Sequence, residues 1–111
     1  MNKQHKSKLT YLMESTKTII LSKIGEEYKT VLHYFNKDLK VRQWPAKHSK
    51  KKLVLKYLAS KFEADKTYTE IEVNEVLNEY HTFGDPALLR RMMFSAKLLG
   101  RTKDCRAYWV I

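Results

Sequence analysis

The 111-residue chain has one cysteine, two prolines and three glycines. Cys105 alone cannot close an internal disulfide, which fits a reducing compartment. So few Gly and Pro leave little room for linkers or low-complexity tracts, and no internal repeat is visible. No apolar run approaches the roughly 20 residues that span a bilayer. The basic start MNKQHKSKLTYLM lacks the long apolar core and small-residue cleavage site of a signal peptide. A cytoplasmic protein without a membrane partner is therefore expected.

Catalytic patterns are also missing. His5, His33, His48 and His81 are scattered, without metal-ligand spacing to Cys105. There is no Gly-rich phosphate loop and no Ser-centred nucleophile motif, so no catalytic, cofactor or metal residue is expected and the chain reads as a non-enzyme. His81 and Asp85 sit four apart across a Gly-containing turn, where capping is the simpler role. Cys105, beside Arg106, is a candidate for oxidation, against the commoner case of an incidental thiol.

What the chain does have is apolar content of 43 %, enough for a packed globule, and a net charge of +10. A basic field of that size raises affinity for polyanions, although solubility charge is the bland alternative. The charge is uneven: residues 1–52 carry 13 basic and 4 acidic side chains, residues 53–111 carry 9 and 8.

Helical periodicity runs from about Ser7 to Ile24 and ends at Gly25, a plausible C-cap. Tyr28, Val31, Leu32 and Phe35 repeat as a second helix. Asn36-Lys37-Asp38 reads as a turn, and Leu39 to Trp44 as a short strand before Pro45. Ser49 is the expected N-cap of a helix over about Lys50 to Phe62, with Val54, Tyr57, Leu58 and Phe62 inward. Lys50, Lys51 and Lys52 would oppose that helix's dipole, a placement that can mark an anion site.

Thr69 and Glu72 form a capping box for a helix that turns Val73, Val76, Leu77 and Tyr80 inward. Its Glu70, Glu75 and Glu79 are expected to point away, an acidic face that a phosphate backbone would repel. A turn with Gly84 follows, then Asp85 as N-cap and Pro86 as first residue of the next helix. That helix, to about Lys97, places Leu89, Met92, Met93 and Ala96 inward and Arg90, Arg91 and Phe94 largely outward. Leu98 to Thr102 and Ala107 to Ile111 read as paired strands around a Lys103–Arg106 loop, with either Tyr108 or Trp109 inward.

Helix, turn, helix and basic hairpin is the order of a winged helix. The expected fold is α+β, mainly helical: a winged helix-turn-helix over 39–111 with an N-terminal helical extension over 1–38. In a helix-turn-helix the second helix enters the major groove. Arg90, Arg91 and Lys97 are thus candidates for the groove, Arg101, Lys103 and Arg106 for flanking phosphates or the minor groove, and Lys50, Lys51 and Lys52 for further phosphates. One arginine could instead pair with Asp85 or a glutamate of the preceding helix. Phe94 reads as an exposed anchor or, more simply, as packing against the N-terminal helices.

Pro45-Ala46-Lys47, KKLVLKYLASKF (51–62), YTEIEVNEVL (68–77), Asp85, LLRRMM (88–93), Arg101 and Tyr108-Trp109 together resemble the bacterial family catalogued as domain of unknown function 2087. The E-x-E-V-N and L-R-R segments are the most specific pieces. Its members occur alone or behind winged-helix transcriptional regulators, so the resemblance implies a regulation-associated, winged-helix-like domain and assigns no activity. Lys97 and Cys105 depart from the family pattern, standing where it usually or often has Gly.

Double-stranded DNA is the expected partner. The alternative is a protein-interaction module on the same fold, with Phe94 and the acidic helix making the contacts. The apolar cluster Ile19-Ile20-Leu21 would pack on the domain or pair two chains as a homodimer.

Overall fold

A computed structural model describes residues 24–111. The helix expected over Ser7 to Ile24 and the Ile19-Ile20-Leu21 pairing surface lie, except for Ile24, outside the described residues. From Gly25 onward the order is two 3-10 turns (Glu26–Thr30 and Leu32–Tyr34), α1 (His48–Ala59), α2 (Glu70–Tyr80), α3 (Pro86–Ser95), β1 (Leu99–Arg101) and β2 (Tyr108–Val110). This is a small α+β fold, mainly helical: three α-helices and a two-stranded antiparallel hairpin among the described residues, compatible with a winged helix.

The segment before α1 differs from expectation in two places. No continuous α-helix runs from Tyr28 to Phe35; Val31, at φ −122° and ψ 0°, separates two 3-10 turns. Leu39 to Trp44 is not a strand either, because Leu39 has φ +65° and breaks the extended path. Val41 alone bridges outward. Its N–H donates to Tyr80 O at 2.7 Å and its carbonyl accepts from Thr82 N at 2.9 Å. The Asn36 turn does form, with Asn36 Oδ1 accepting from Asp38 N and Lys40 N. Val31, Phe35 and Val41 join the core, and Phe35 meets Tyr57 edge to face at 4.9 Å. Burial pushes the Tyr57 phenol up to about 12, with Tyr80 adding to the shift.

α1 starts two residues earlier than expected, with Lys47 and not Ser49 at its cap. The Lys47 carbonyl already accepts from Lys50 N and Lys51 N, and no side chain caps the end. The helix also stops short of Phe62: Lys61 N and Phe62 N bond back three residues, tightening the last turn.

The α2 start is as expected. Glu72 N donates to Thr69 Oγ1 and Thr69 N to Glu72 Oε1, the two bonds of a capping box. Val73 and Leu77 are fully buried. Asp85 Oδ1 accepts from Leu88 N and Pro86 opens α3, whose Leu89 and Met93 are fully buried. Ala96 lies past the helix end and is exposed rather than inward.

Lys97, at φ +62°, ends α3 in a Schellman motif: Leu98 N donates to Met93 O and Lys97 N to Phe94 O. A lysine in the left-handed region is strained where glycine would not be. Lys97→Gly is therefore expected to raise stability by about 0.5–1 kcal/mol in urea unfolding, the relief of strain exceeding the extra chain entropy.

β1 and β2 pair with Leu99 opposite Val110 and Arg101 opposite Tyr108. Tyr68 extends this pairing, exchanging both backbone bonds with Tyr108 at 2.8 Å. Tyr108 faces inward, and Trp109 faces out across Gly100, where a Cβ would overlap its indole.

Candidate nucleic-acid interface

The turn between α2 and α3 sets the angle of the arginine-bearing helix, and His81 anchors it. Its ring is buried. Asp85 N donates to Nε2 at 2.9 Å, so the ring proton sits on Nδ1 and is donated to Leu77 O at 2.6 Å. One imidazole thus ties the last turn of α2 to the cap of α3. His81→Ala would leave two backbone groups unpaired, and a loss of about 1–3 kcal/mol is expected, read as a lower urea midpoint.

The two arginines of α3 have different surroundings. Arg90 turns toward α2: Nη1 donates to Asn74 Oδ1 and Nη2 lies 3.8 Å from Glu70 Oε2, leaving the side chain 13 % exposed. Glu70 was expected to face away; its Oε1 instead accepts from Tyr108 Oη at 3.2 Å, tying α2 to β2. Burial raises the Tyr108 phenol, and its bonds to Cys105 and Glu70 push the same way. Arg91 is exposed, with no hydrogen bond or ion pair to another described residue.

Arg101, on β1, reaches back over α3. Its guanidinium lies 4.2 Å above the Phe94 ring, and Nη1 donates to Cys105 Sγ. Phe94 is 39 % exposed and carries this cation, while most of the N-terminal helices it was expected to pack against lie outside the described residues. The hairpin loop is folded on itself. Thr102 Oγ1 donates to Asp104 Oδ1 at 2.6 Å, and Arg106 N donates to the same oxygen at 3.1 Å. The Thr102 hydroxyl and then the Arg106 N–H hold the Asp104 carboxyl below the usual carboxylate range. Cys105 adopts φ +61°, and Arg106 Nε stands 3.7 Å from Asp104 Oδ2. Lys97 and Lys103 are exposed.

Two clefts flank the C-terminal half of α3. The first, ≈ 310 Å³, brings Arg90 and Arg91 together with Arg101 and Cys105. The second, ≈ 210 Å³, lies between α1 and α3 and brings Lys51 and Lys52 against Met92 and Ala96. Ser95 lines both. Five of the nine expected residues therefore meet in two groups on either side of one helix turn, while Lys97, Lys103 and Arg106 line neither cleft. Lys50 is half-buried and lines neither cleft, Lys51 stands 5.9 Å from the Trp44 ring, and Lys52 is exposed.

Sequence reasoning missed Asn74 and Tyr108 as partners in this site, whereas its alternative of an arginine paired with a glutamate of the preceding helix is met by Arg90 and Glu70. Arg90 and Asn74 are sixteen residues apart, and no local pattern announces such a contact. Among the described residues His, Cys, Asp and Glu form no group of three able to hold a metal ion, and no helix is long and apolar enough to cross a membrane.

No curated protein and no solved structure shows significant similarity to the chain. A family profile described as an uncharacterised protein conserved in bacteria (DUF2087) matches residues 40–110, from just before α1 to the end of β2. With that match over more than half its length, the chain belongs to the DUF2087 family.

Proposed function

We propose that the chain is a transcription-associated regulator whose winged-helix domain binds duplex DNA. The order of α1, the Tyr68 bridge, α2, α3 and the hairpin supports the winged helix. The observation that carries the DNA reading is Ser95, shared by the arginine cleft and the lysine cleft, so basic groups from α1, α3 and β1 flank one helix end.

In this reading α3 enters the major groove with Arg91 toward base edges or phosphates. Lys97 stands at the exit of that helix. Lys50, Lys51 and Lys52 meet phosphates on one side, and Arg101, Lys103 and Arg106 on the other. Arg90 holds α3 against α2 through Asn74 and Glu70 rather than reading DNA. The exposed Glu72, Glu75 and Glu79 keep the outer face of α2 off the backbone.

The test is salt. Each phosphate neutralised releases counterions, so log affinity for duplex DNA is expected to fall linearly with log salt at a slope of about −0.9 per contact. Affinity that is flat in salt would remove the phosphate contacts from the account.

A second reading, a protein-interaction module, rests on α2. Ile71 is 71 % exposed, and Glu72, Glu75 and Glu79 line a groove with Lys66 and Tyr68. A basic partner with an apolar anchor fits there. It predicts weak, sequence-blind duplex binding and partner capture that persists in high salt and is lost in Ile71→Asp.

A further inference from the structure

The cleft between α3 and the hairpin has a charge and shape that duplex contact alone does not require. Three guanidinium groups from two elements, Arg90, Arg91 and Arg101, line it with a single carboxylate, Glu70. Among the described residues that line it, two positive charges are left uncompensated. Two of the three groups are already positioned: Arg90 by Asn74 and Glu70, Arg101 by Cys105 and the Phe94 ring. Their ordering is completed on folding, so an incoming anion does not bear that entropy. A guanidinium has five N–H donors, and these contacts leave donors on both groups. Arg91 has no hydrogen-bond or ion-pair partner among the described residues. Ser95 adds a hydroxyl one helical turn beyond Arg91.

The chemistry follows from matching. A phosphomonoester carries about −1.5 to −2 charge at neutral pH and three strong acceptor oxygens, whereas a backbone phosphodiester carries only one charge. Planar guanidinium forks suit such an oxyanion bidentately. The volume of ≈ 310 Å³ stands at the lower end of small-molecule sites, which run from about 300 Å³ upward.

We propose that this cleft binds the phosphate group of a small phosphomonoester, with Arg91 and Arg101 as the clamp, Ser95 as hydroxyl donor and Arg90 as a fixed charge behind them. The site stands on the cleft and not on duplex binding. Where both hold, Arg91 and Arg101 are shared, so the ester competes with DNA and acts as a releasing effector.

The experiment is an NMR titration of the labelled full chain, without DNA, using inorganic phosphate, adenosine monophosphate and dimethyl phosphate in separate arms. Inorganic phosphate and adenosine monophosphate are expected to shift the Arg91 and Arg101 Nε–Hε signals and the Ser95 amide saturably. Arg91→Ala, at an exposed position, and Arg101→Ala should each weaken this at least tenfold, and Lys56→Ala, at an exposed position of α1 outside both clefts, should leave it unchanged. Dimethyl phosphate should bind at least tenfold more weakly than phosphate. The proposal is overturned by shifts that do not saturate, by equal shifts at Lys51 and Lys52, by an Arg91→Ala chain that titrates like the parent, or by dimethyl phosphate binding as well as phosphate. Duplex anisotropy on the same sample reports separately: phosphate binding without duplex binding sinks only the DNA reading.

Discussion

Replacing Arg91 by Ala is expected to lower duplex affinity by about 1–3 kcal/mol, roughly 5- to 150-fold, with the unfolding midpoint unchanged. Arg91 is exposed on α3 and has no described protein partner, so its removal opens no cavity and strands no buried charge. Arg90→Ala is the instructive contrast. It removes a half-buried side chain and leaves Asn74 and Glu70 without their cation. Its effect should appear first as lost stability and only second as lost binding. Equal behaviour of the two variants in urea would contradict the division of labour between these neighbours.

Leu89→Ala is expected to cost about 2–5 kcal/mol, a large share of the roughly 5–15 kcal/mol that holds a domain of this size. Leu89 is fully buried, on the same helix face as Met93 and in the same core as Val73 and Leu77 of α2. Urea unfolding of the purified variant reads the loss directly. If the midpoint moves by less than the transfer of a few methylene groups implies, α3 is not anchored as described. A helix carrying Arg91 must be held rigidly to present it, so folded Leu89→Ala protein should also bind duplex more weakly.

Legibility from sequence followed the range of each interaction. The Thr69–Glu72 capping box, the Asp85–Pro86 start of α3, the Asn36 turn and the hairpin strands were all readable, because each is specified within about a dozen residues. Lys97 and Cys105, singled out as departures from a glycine pattern, do occupy left-handed backbone. The α1 start was misplaced because Ser49 is a good cap residue, yet the Lys47 carbonyl begins the turn without a side-chain cap. The strand expected over Leu39 to Trp44 is broken at Leu39, whose φ of +65° the apolar alternation does not announce. Val41 takes its partners from Tyr80 and Thr82, far along the chain.

The candidate site was legible as a set of basic residues and not as an arrangement. Arg90 and Arg91 are adjacent and chemically identical in the sequence; only the position of α2 turns one inward. The same holds for Phe94, whose partner proved to be Arg101 of the hairpin.

The most direct measurement is fluorescence anisotropy of a labelled duplex across a salt series, for the parent chain and for the Lys51→Ala/Lys52→Ala/Arg91→Ala variant. The parent line of log affinity against log salt should be steep. The variant should be weaker at every salt, with a slope shallower by about 0.9 for each phosphate contact removed. Superimposed lines, or a parent that does not bind at the lowest salt, would contradict the assignment of α1, α3 and the hairpin to one DNA-binding surface.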